Sequence, residues 1–544
     1  MAQAPANSNA TAARTRPDVA FLLFLTLLGT YAYFWQSRDW NTSTRLMLTY
    51  SLGDRRRLEI DGLEEQCGHR EVNWFTGRSE IVAGDIARVG SHFYTDKAPG
   101  QSLMGVPVYL AGKLAFGLRD HPLDVKAIQY WPSDYFVTLG TSGVMTAALA
   151  VVIYAFALRL GTSHMGGVLL GLAYGLATPA LVYATLFYGH QAAAFCTLTG
   201  FFLLYRAAHE GRANLWNMVL AGLLAGYTVV VEYQTAGISA VLGVYAVVAI
   251  RRVRPVFVFV CAAALAAGLL AAYNYRAFGN PLELSYAHEV SRQFQAVHSK
   301  DNPLGLRLPP WETVREIGRQ LLWGEYRGLA LYASVTVGAP LGLIALLWRR
   351  YWGVALVAFS AAVWMLFVNV SYPLWEGGMC TGPRFVLPAL PFMVLALAGL
   401  VGYSWRGFWT TLLAAAVLVG GLFMIACVAV GGRFPPGLAH PVRELVIPHW
   451  LGRIDNPPAE IAGGRQFEWN IGRWMFERFM PADLIPAEPS PWQALQIAPL
   501  GVFLIMMIGV LLARSRHDRT AVSRDRGGAP SPSSASRLGT GSKT

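Results

Sequence analysis

Twelve separate apolar runs, each close to bilayer-crossing length, constrain this chain more than any other feature. They fall at roughly 18–36, 134–158, 165–186, 190–207, 215–232, 234–250, 255–275, 328–348, 352–371, 384–404, 407–430 and 494–513. A hydrocarbon core about 30 Å thick is spanned by about 20 mainly apolar residues in a helix. Lipid offers the backbone no hydrogen-bond partner, so a run of this kind satisfies itself by coiling. Only 14% of the 544 residues are charged, against about a quarter in a soluble domain. The reading is an all-α polytopic membrane protein of about twelve transmembrane helices. The first run follows Arg14 and Arg16 and lacks a small-residue cleavage site, so it reads as an uncleaved span.

Arginine placement orients the spans. With Arg14 and Arg16 inside, the inner ends carry Arg159, Arg206 with Arg212, Arg251-Arg252 with Arg254, Arg349-Arg350, Arg406, and Arg514 with Arg516. Each short cluster then lies in the cytoplasm, as the positive-inside rule requires. This holds only if the further apolar run 102–118, which contains Pro107 and Lys113, does not cross; it reads as a helix lying in the outer interface. Both termini are then cytoplasmic. Residues 37–133, 276–327 and 431–493 form outer loops, and the Ser- and Gly-rich tail 514–544 lacks the composition of a folded unit. The formal charge of +12 reflects these orienting clusters and not nucleic-acid binding. Among five scattered cysteines, Cys67 and Cys380 fall in outer loops, where a disulfide between them is possible.

Chemistry-bearing residues collect at the outer ends of these spans. Asp85 and the segment Tyr94-Thr95-Asp96-Lys97-Ala98-Pro99-Gly100 lie in the first outer loop. Gly189-His190, Glu232-Tyr233, Tyr286 with His288 and Glu289, and Arg384 after Gly382-Pro383 face the same side. Charged groups beside the hydrocarbon are costly and usually face a cavity or a partner. A carboxylate can take a proton from a hydroxyl as general base. Lysine and arginine can neutralise phosphate oxygens, and carboxylates with histidine can hold a divalent metal. Glycosyl transfer from a lipid phosphate needs such a set, together with a groove open to the bilayer.

In these residues the chain resembles the GT-C superfamily of polyprenyl-phosphate-sugar-dependent glycosyltransferases. The likeness is closest to the branch holding bacterial aminoarabinose transferases and protein O-mannosyltransferases. That family has an acidic motif in its first outer loop, then an aromatic-acid-Lys-Pro segment leading into an interfacial helix. Tyr94-Thr95-Asp96-Lys97-Ala98-Pro99 is similar to that segment, with alanine inserted before the proline. Arg45 resembles the arginine after the acidic pair, although Asn41-Thr42 stand where the pair is expected. The resemblance covers about residues 18–210 and implies a catalytic module over 18–430. It also implies a polyprenyl-phosphate-sugar donor, a glycan, lipid or protein acceptor, and a bacterial inner-membrane setting. The missing pair moves the base to Asp85 first, Asp96 second and Asp61 third. Lys97, Arg384, Arg45, His190, Glu232 and Tyr94 then bind donor phosphate or substrate.

Each residue also has a plain structural alternative. Asp96-Lys97 can be a solvated turn before Pro99-Gly100, and Asp85 can cap a short helix starting near Ile86. His190 can be an interfacial histidine, Glu232 can sit exposed on a tight hairpin, and Arg384 can snorkel to headgroups. A polytopic transporter or lipid flippase is the rival function, and an assembly protein without catalysis is a third.

Overall fold

A computed structural model of the chain describes residues 15–63, 68–72, 79–117, 132–402, 406–454 and 465–516, with backbone alone for 68–72 and 79–83. The apolar runs are helical because only internal hydrogen bonds satisfy a backbone in lipid. Helix α1 is Pro17–Ala32, with proline at its first position, where the missing N–H costs nothing. Among the described residues, seven helices are long and apolar enough to cross a membrane. They are Pro132–Arg159, Tyr233–Ile250, Val253–Phe278, Trp352–Ser371, Arg384–Val401, Arg406–Ala429 and Pro491–Arg516. Pro17–Ala32, His164–Leu176, Leu215–Val231 and Ser334–Trp348 are shorter apolar helices, and Gly189–His209 is helical with polar residues at both ends. The chain is therefore a multi-pass membrane protein. The run 165–186 differs from the single helix expected: it stops at Leu176 and resumes as one turn, Ala180–Tyr183, because Pro179 cannot continue the ladder.

Several of the arginines expected on one side, Arg16, Arg159, Arg206, Arg349 and Arg514, make their contacts at one end of the bundle. Arg159 bonds Glu210 at 2.7 Å and the Thr15 hydroxyl at 3.5 Å. Arg206 reaches Glu210 at 3.2 Å, Arg16 bonds the Arg514 carbonyl at 3.2 Å, and Arg349 bonds the Leu160 carbonyl at 2.5 Å. Thr15 and Arg159 thus share one end of the bundle. The chain between α1 and Pro132–Arg159 leaves and returns at the opposite end.

That connecting segment corrects the all-α reading. After helix α2, Trp40–Tyr50, come two antiparallel hairpins: β1 (Gly68–Val72) with β2 (Ser79–Ala83), and β3 (Ile86–Val89) with β4 (His92–Thr95). Ile86, Val89, Phe93, Tyr94 and Thr95 favour a pleated, half-buried surface. Gly90, at φ 60°, supplies the tight turn. Helix α3, Gly100–Phe116, follows and lies against α2, where Ser102 Oγ donates to the Arg45 carbonyl at 2.8 Å. The expected Cys67–Cys380 pairing falls partly outside the described residues. Cys380 is a buried free thiol donating to the Glu376 carbonyl at 3.2 Å, and Cys67 lies outside the described residues.

Small residues set a close helix contact. A Cβ at Gly222 would lie 2.2 Å from the Phe259 carbonyl oxygen, and one at Gly226 would lie 2.4 Å from that of Ala263. Leu215–Val231 and Val253–Phe278 therefore touch backbone to backbone, as membrane helices do where small residues repeat. Gly222→Ala should lower stability by about 1–3 kcal/mol through overpacking. Gly243→Ala, with nothing within 4 Å of its Cβ, should not lower it. Melting of the two purified variants in detergent checks this.

Candidate functional site

The β3–β4 register pairs Ile86 with Thr95, so the next residues outward, Asp85 and Asp96, leave the hairpin side by side. Two glycines let this end sit deep. A Cβ at Gly84 would fall inside the Trp40 ring, and one at Gly100 would lie 2.7 Å from the Val230 and Val231 backbone. Neither position admits a side chain without moving its neighbour. Lys97 Nζ lies 2.9 Å from Asp85 Oδ1 and 2.8 Å from Asp96 Oδ2. It also faces the rings of Phe294 and Tyr286, at 5.5 and 5.8 Å. Asp96 is 0% exposed, so the solvated-turn reading fails. Asp85 precedes a strand, so it caps no helix.

A second segment closes over this group. Val290 N donates to the Ile86 carbonyl at 3.0 Å, Ala87 bridges Glu289, and Ser285 Oγ donates to the Asp96 carbonyl at 2.5 Å. Glu289 Oε1 then lies 3.1 Å from His298 Nδ1, and His298 Nε2 lies 3.1 Å from the Tyr372 hydroxyl. Burial disfavours the Lys97 ammonium, but Asp85 and Asp96 outweigh it and hold the lysine charged above its ordinary range. Burial raises the Asp96 carboxyl, with Asp85 and Glu289 adding repulsion against the pull of Lys97. Burial raises Glu289 to about 8 and lowers His298 to about 4. At neutral pH the Glu289–His298 contact is thus a neutral pair, with the protonated carboxyl able to donate to Nδ1.

Arg45, Glu232 and His190 form an adjoining cluster. Arg45 Nη2 lies 2.9 Å from Glu232 Oε1, Nε donates to Asn41 Oδ1 at 3.0 Å, and Nη1 donates to the Ala98 carbonyl at 3.2 Å. The Ala98 bond joins this cluster to Lys97. His190 Nδ1 stands 3.6 Å from Glu232 Oε1. Glu232 and His190 are both buried, which removes the exposed-hairpin reading of Glu232. Arg384 turns inward instead of snorkelling. Its guanidinium lies 5.0 Å from the Phe385 ring centre and 5.8 Å from that of Tyr188, and Nε is buried without a hydrogen-bond partner among the described residues.

The structure adds one acid that sequence reasoning passed over. Asp39 caps α2 by accepting from Thr42 N at 2.7 Å, takes a hydrogen bond from the Tyr188 hydroxyl, and lies 3.4 Å from Arg433 Nη1. Burial opposes its charge, but Arg433, Tyr188 and Thr42 outweigh that and lower its pKa. A signal existed: Arg433 follows Gly431-Gly432 at an outer span end and breaks the positive-inside trend, as Arg384 does. Two expected residues do not join the group. Tyr94 packs edge-on against Phe278 at 5.6 Å, and burial raises its hydroxyl to about 12. Asp61 is a surface acceptor for His92 at 2.6 Å and the Phe93 amide at 2.7 Å.

A divalent metal does not fit between Asp85 and Asp96, because the Lys97 ammonium stands within hydrogen-bond distance of both. Elsewhere among the described residues no three His, Cys, Asp or Glu side chains converge to hold one.

No family model and no curated protein matches the chain. Among solved structures it is similar to the archaeal oligosaccharyltransferase AglB from Archaeoglobus fulgidus, in complex with an inhibitory peptide and a dolichol-phosphate. That likeness has 11% identity and a TM-score of 0.41, over 75% of this chain and 55% of the archaeal one. A likeness at this level assigns neither family nor activity.

The pKa directions have a sign that can be checked. A raised Glu289 favours folding fully below its ordinary 4.5, and that contribution is lost as pH rises through about 8. The lowered His298 contributes above its ordinary 6.5, and the contribution is lost as pH falls through about 4. Melting of Glu289→Gln against wild type across this range should show the wild-type advantage shrinking between pH 4.5 and about 8 and flat above it. A constant difference would show that Glu289 does not carry the proton.

Proposed function

We propose that the chain is an inverting glycosyltransferase of the GT-C type. It moves a sugar from a polyprenyl-phosphate donor to an acceptor hydroxyl or amine at the outer face of the cytoplasmic membrane, in a bacterial inner membrane. The observation that carries this reading is the buried Asp85–Lys97–Asp96 group beside Arg384, at the bundle end opposite the arginine clusters. Asp85 takes the acceptor's proton while the acceptor oxygen attacks the anomeric carbon, and Asp96 is the alternative base. The bond from that carbon to the phosphate oxygen breaks, and polyprenyl phosphate leaves with the electron pair. Arg384, whose Nε has no partner among the described residues, and Lys97 balance the developing negative charge. Arg45, His190 and Glu232 hold the wall behind them. Residues 276–327 and 431–493 cover the cavity and select the acceptor.

Transporters usually place binding groups near the membrane midplane, between broken helices. Here the buried charges lie at helix ends, which favours an enzyme. The test uses purified protein, a panel of radiolabelled polyprenyl-phosphate sugars, and crude membrane glycans as acceptor. Transfer from one donor should fall about 100-fold or more in Asp85→Asn, as loss of a general base predicts, and fall also in Arg384→Gln. Full activity of Asp85→Asn alongside an inactive Asp96→Asn would move the base to Asp96. Turnover of no donor, with saturable lipid binding, would replace the enzyme with a transporter.

A further inference from the structure

The first outer loop carries a run of arginines that neither the site nor the orientation of the spans uses. Arg55, Arg56 and Arg57 are consecutive and exposed, and they lie in the segment that leaves and returns at the site end of the bundle. The positive-inside rule disfavours such a run there. Arg55 donates to the Asp61 carbonyl at 2.7 Å. Arg56 and Arg57 have no side-chain hydrogen bond or ion pair among the described residues. Arg56 also takes φ 55°, a left-handed conformation in which glycine or asparagine costs less.

The neighbouring acids are already engaged. Asp54 accepts from the Tyr109 hydroxyl at 2.8 Å and from Lys113 Nζ at 2.7 Å. Asp61 holds His92 and the Phe93 amide, and Glu59 stands near enough to Tyr94 to help raise its hydroxyl. The Asp54 contacts also fasten the arginine run to helix α3. At Gly53 the fit is tight, since a Cβ there would lie 2.8 Å from the Tyr109 ring.

Beyond this clamp, α3 presents Leu110, Leu114 and Phe116 outward, with Leu114 91% exposed. The Phe116 ring meets Phe136 edge-on at 5.3 Å. Phe136 lies in the first turns of the membrane-length helix Pro132–Arg159, so the exposed apolar tip lies level with the start of a span. Two guanidiniums without partners among the described residues, Arg56 and Arg57, therefore stand beside bare aliphatic and aromatic side chains at the membrane boundary. Water suits the first group and acyl chains suit the second.

We propose that Arg55, Arg56 and Arg57, with the Leu110–Phe116 end of α3, form a docking site for an anionic lipid in the adjoining leaflet. Arginine forks match phosphate oxygens bidentately. The apolar tip enters the acyl boundary as an interfacial helix does, and each basic residue near an anionic surface adds about 1 kcal/mol. The site depends on no sugar, donor or catalytic residue, so it stands or falls apart from the glycosyltransferase reading.

The test titrates phosphatidylglycerol and phosphatidylcholine onto delipidated full-length protein in detergent, read by native mass spectrometry. Wild type should hold phosphatidylglycerol in preference. The triple variant Arg55→Ala, Arg56→Ala, Arg57→Ala should bind it roughly 10- to 100-fold more weakly, with phosphatidylcholine unchanged. Leu114→Ser should weaken both lipids. The cytoplasmic variant Arg251→Ala, Arg252→Ala, Arg254→Ala should leave the preference intact. Equal phosphatidylglycerol affinity in wild type and the outer triple variant would overturn the proposal. So would full competition by glycerophosphoglycerol, which has the headgroup phosphate without acyl chains. Melting of each variant separates lost binding from lost folding.

Discussion

A lysine ammonium taken out of water must find negative charge, and Lys97 finds it in two carboxylates within 3 Å. Removing one partner from such a buried group leaves an uncompensated charge, at a cost of about 3–5 kcal/mol. Much of the local architecture serves to keep this from happening. The β3–β4 hairpin delivers Asp85 and Asp96 together, and bare backbone at Gly84 and Gly100 lets the hairpin end approach Trp40 and Val230. The edge pairing of Val290 with Ile86 then brings Glu289 over the cluster. One ammonium facing several acids leaves surplus negative charge, and buried surplus charge is relieved by holding protons. At Glu289 burial is the main cause, raising the carboxyl to about 8, with Asp85 adding to it against the pull of Lys97.

The segments at the site end of the bundle are joined by buried arginine as well as by an apolar core that includes Leu46, Ile60, Ile86 and Tyr109. Arg45, Arg327 and Arg433 are among the largest fully buried side chains, and each ties together stretches far apart in the chain. Arg327 donates to the carbonyls of Glu376, Gly378 and Phe434. Arg433 binds Ser37 and Asp39, and Arg45 links α2 to Ala98 and Glu232. A guanidinium offers five donors in a fixed plane, so one side chain can satisfy several loop carbonyls that no strand or helix pairs. At the other end of the bundle, Arg159 and Arg206 meet Glu210 nearer the surface.

These two uses of charge bear on how the site works. Lys97 occupies the space between Asp85 and Asp96 that a divalent ion would need, so in the proposed reaction the positive charge for a leaving phosphate would come from the protein itself. Lys97 is committed to its carboxylates, and Arg45 to Glu232, Asn41 and Ala98. Arg384 differs. It is packed among the rings of Tyr188 and Phe385, with a buried Nε lacking a partner among the described residues. The aromatic rings border its plane without accepting a hydrogen bond from that Nε, which is why the proposed reaction assigns it the phosphate.

The positions of the apolar runs, the side on which the arginine clusters gather and the face that collects Asp85, Asp96, Lys97, His190, Glu232 and Arg384 are legible in the sequence. Each follows from the cost of placing a backbone or a charge in hydrocarbon, which a local window of residues reports. The strands, of four and five residues, were missed because segments so short have too few alternations to outweigh the helical pattern around them. The clamp of Arg433 on Asp39 and the contact of Glu289 with His298 beside Lys97 were equally out of reach. Tertiary structure alone decided which acids share a lysine and which apolar helix end stays bare. Those outcomes depend on distances between segments remote in sequence, and no local rule of composition or spacing encodes such a distance.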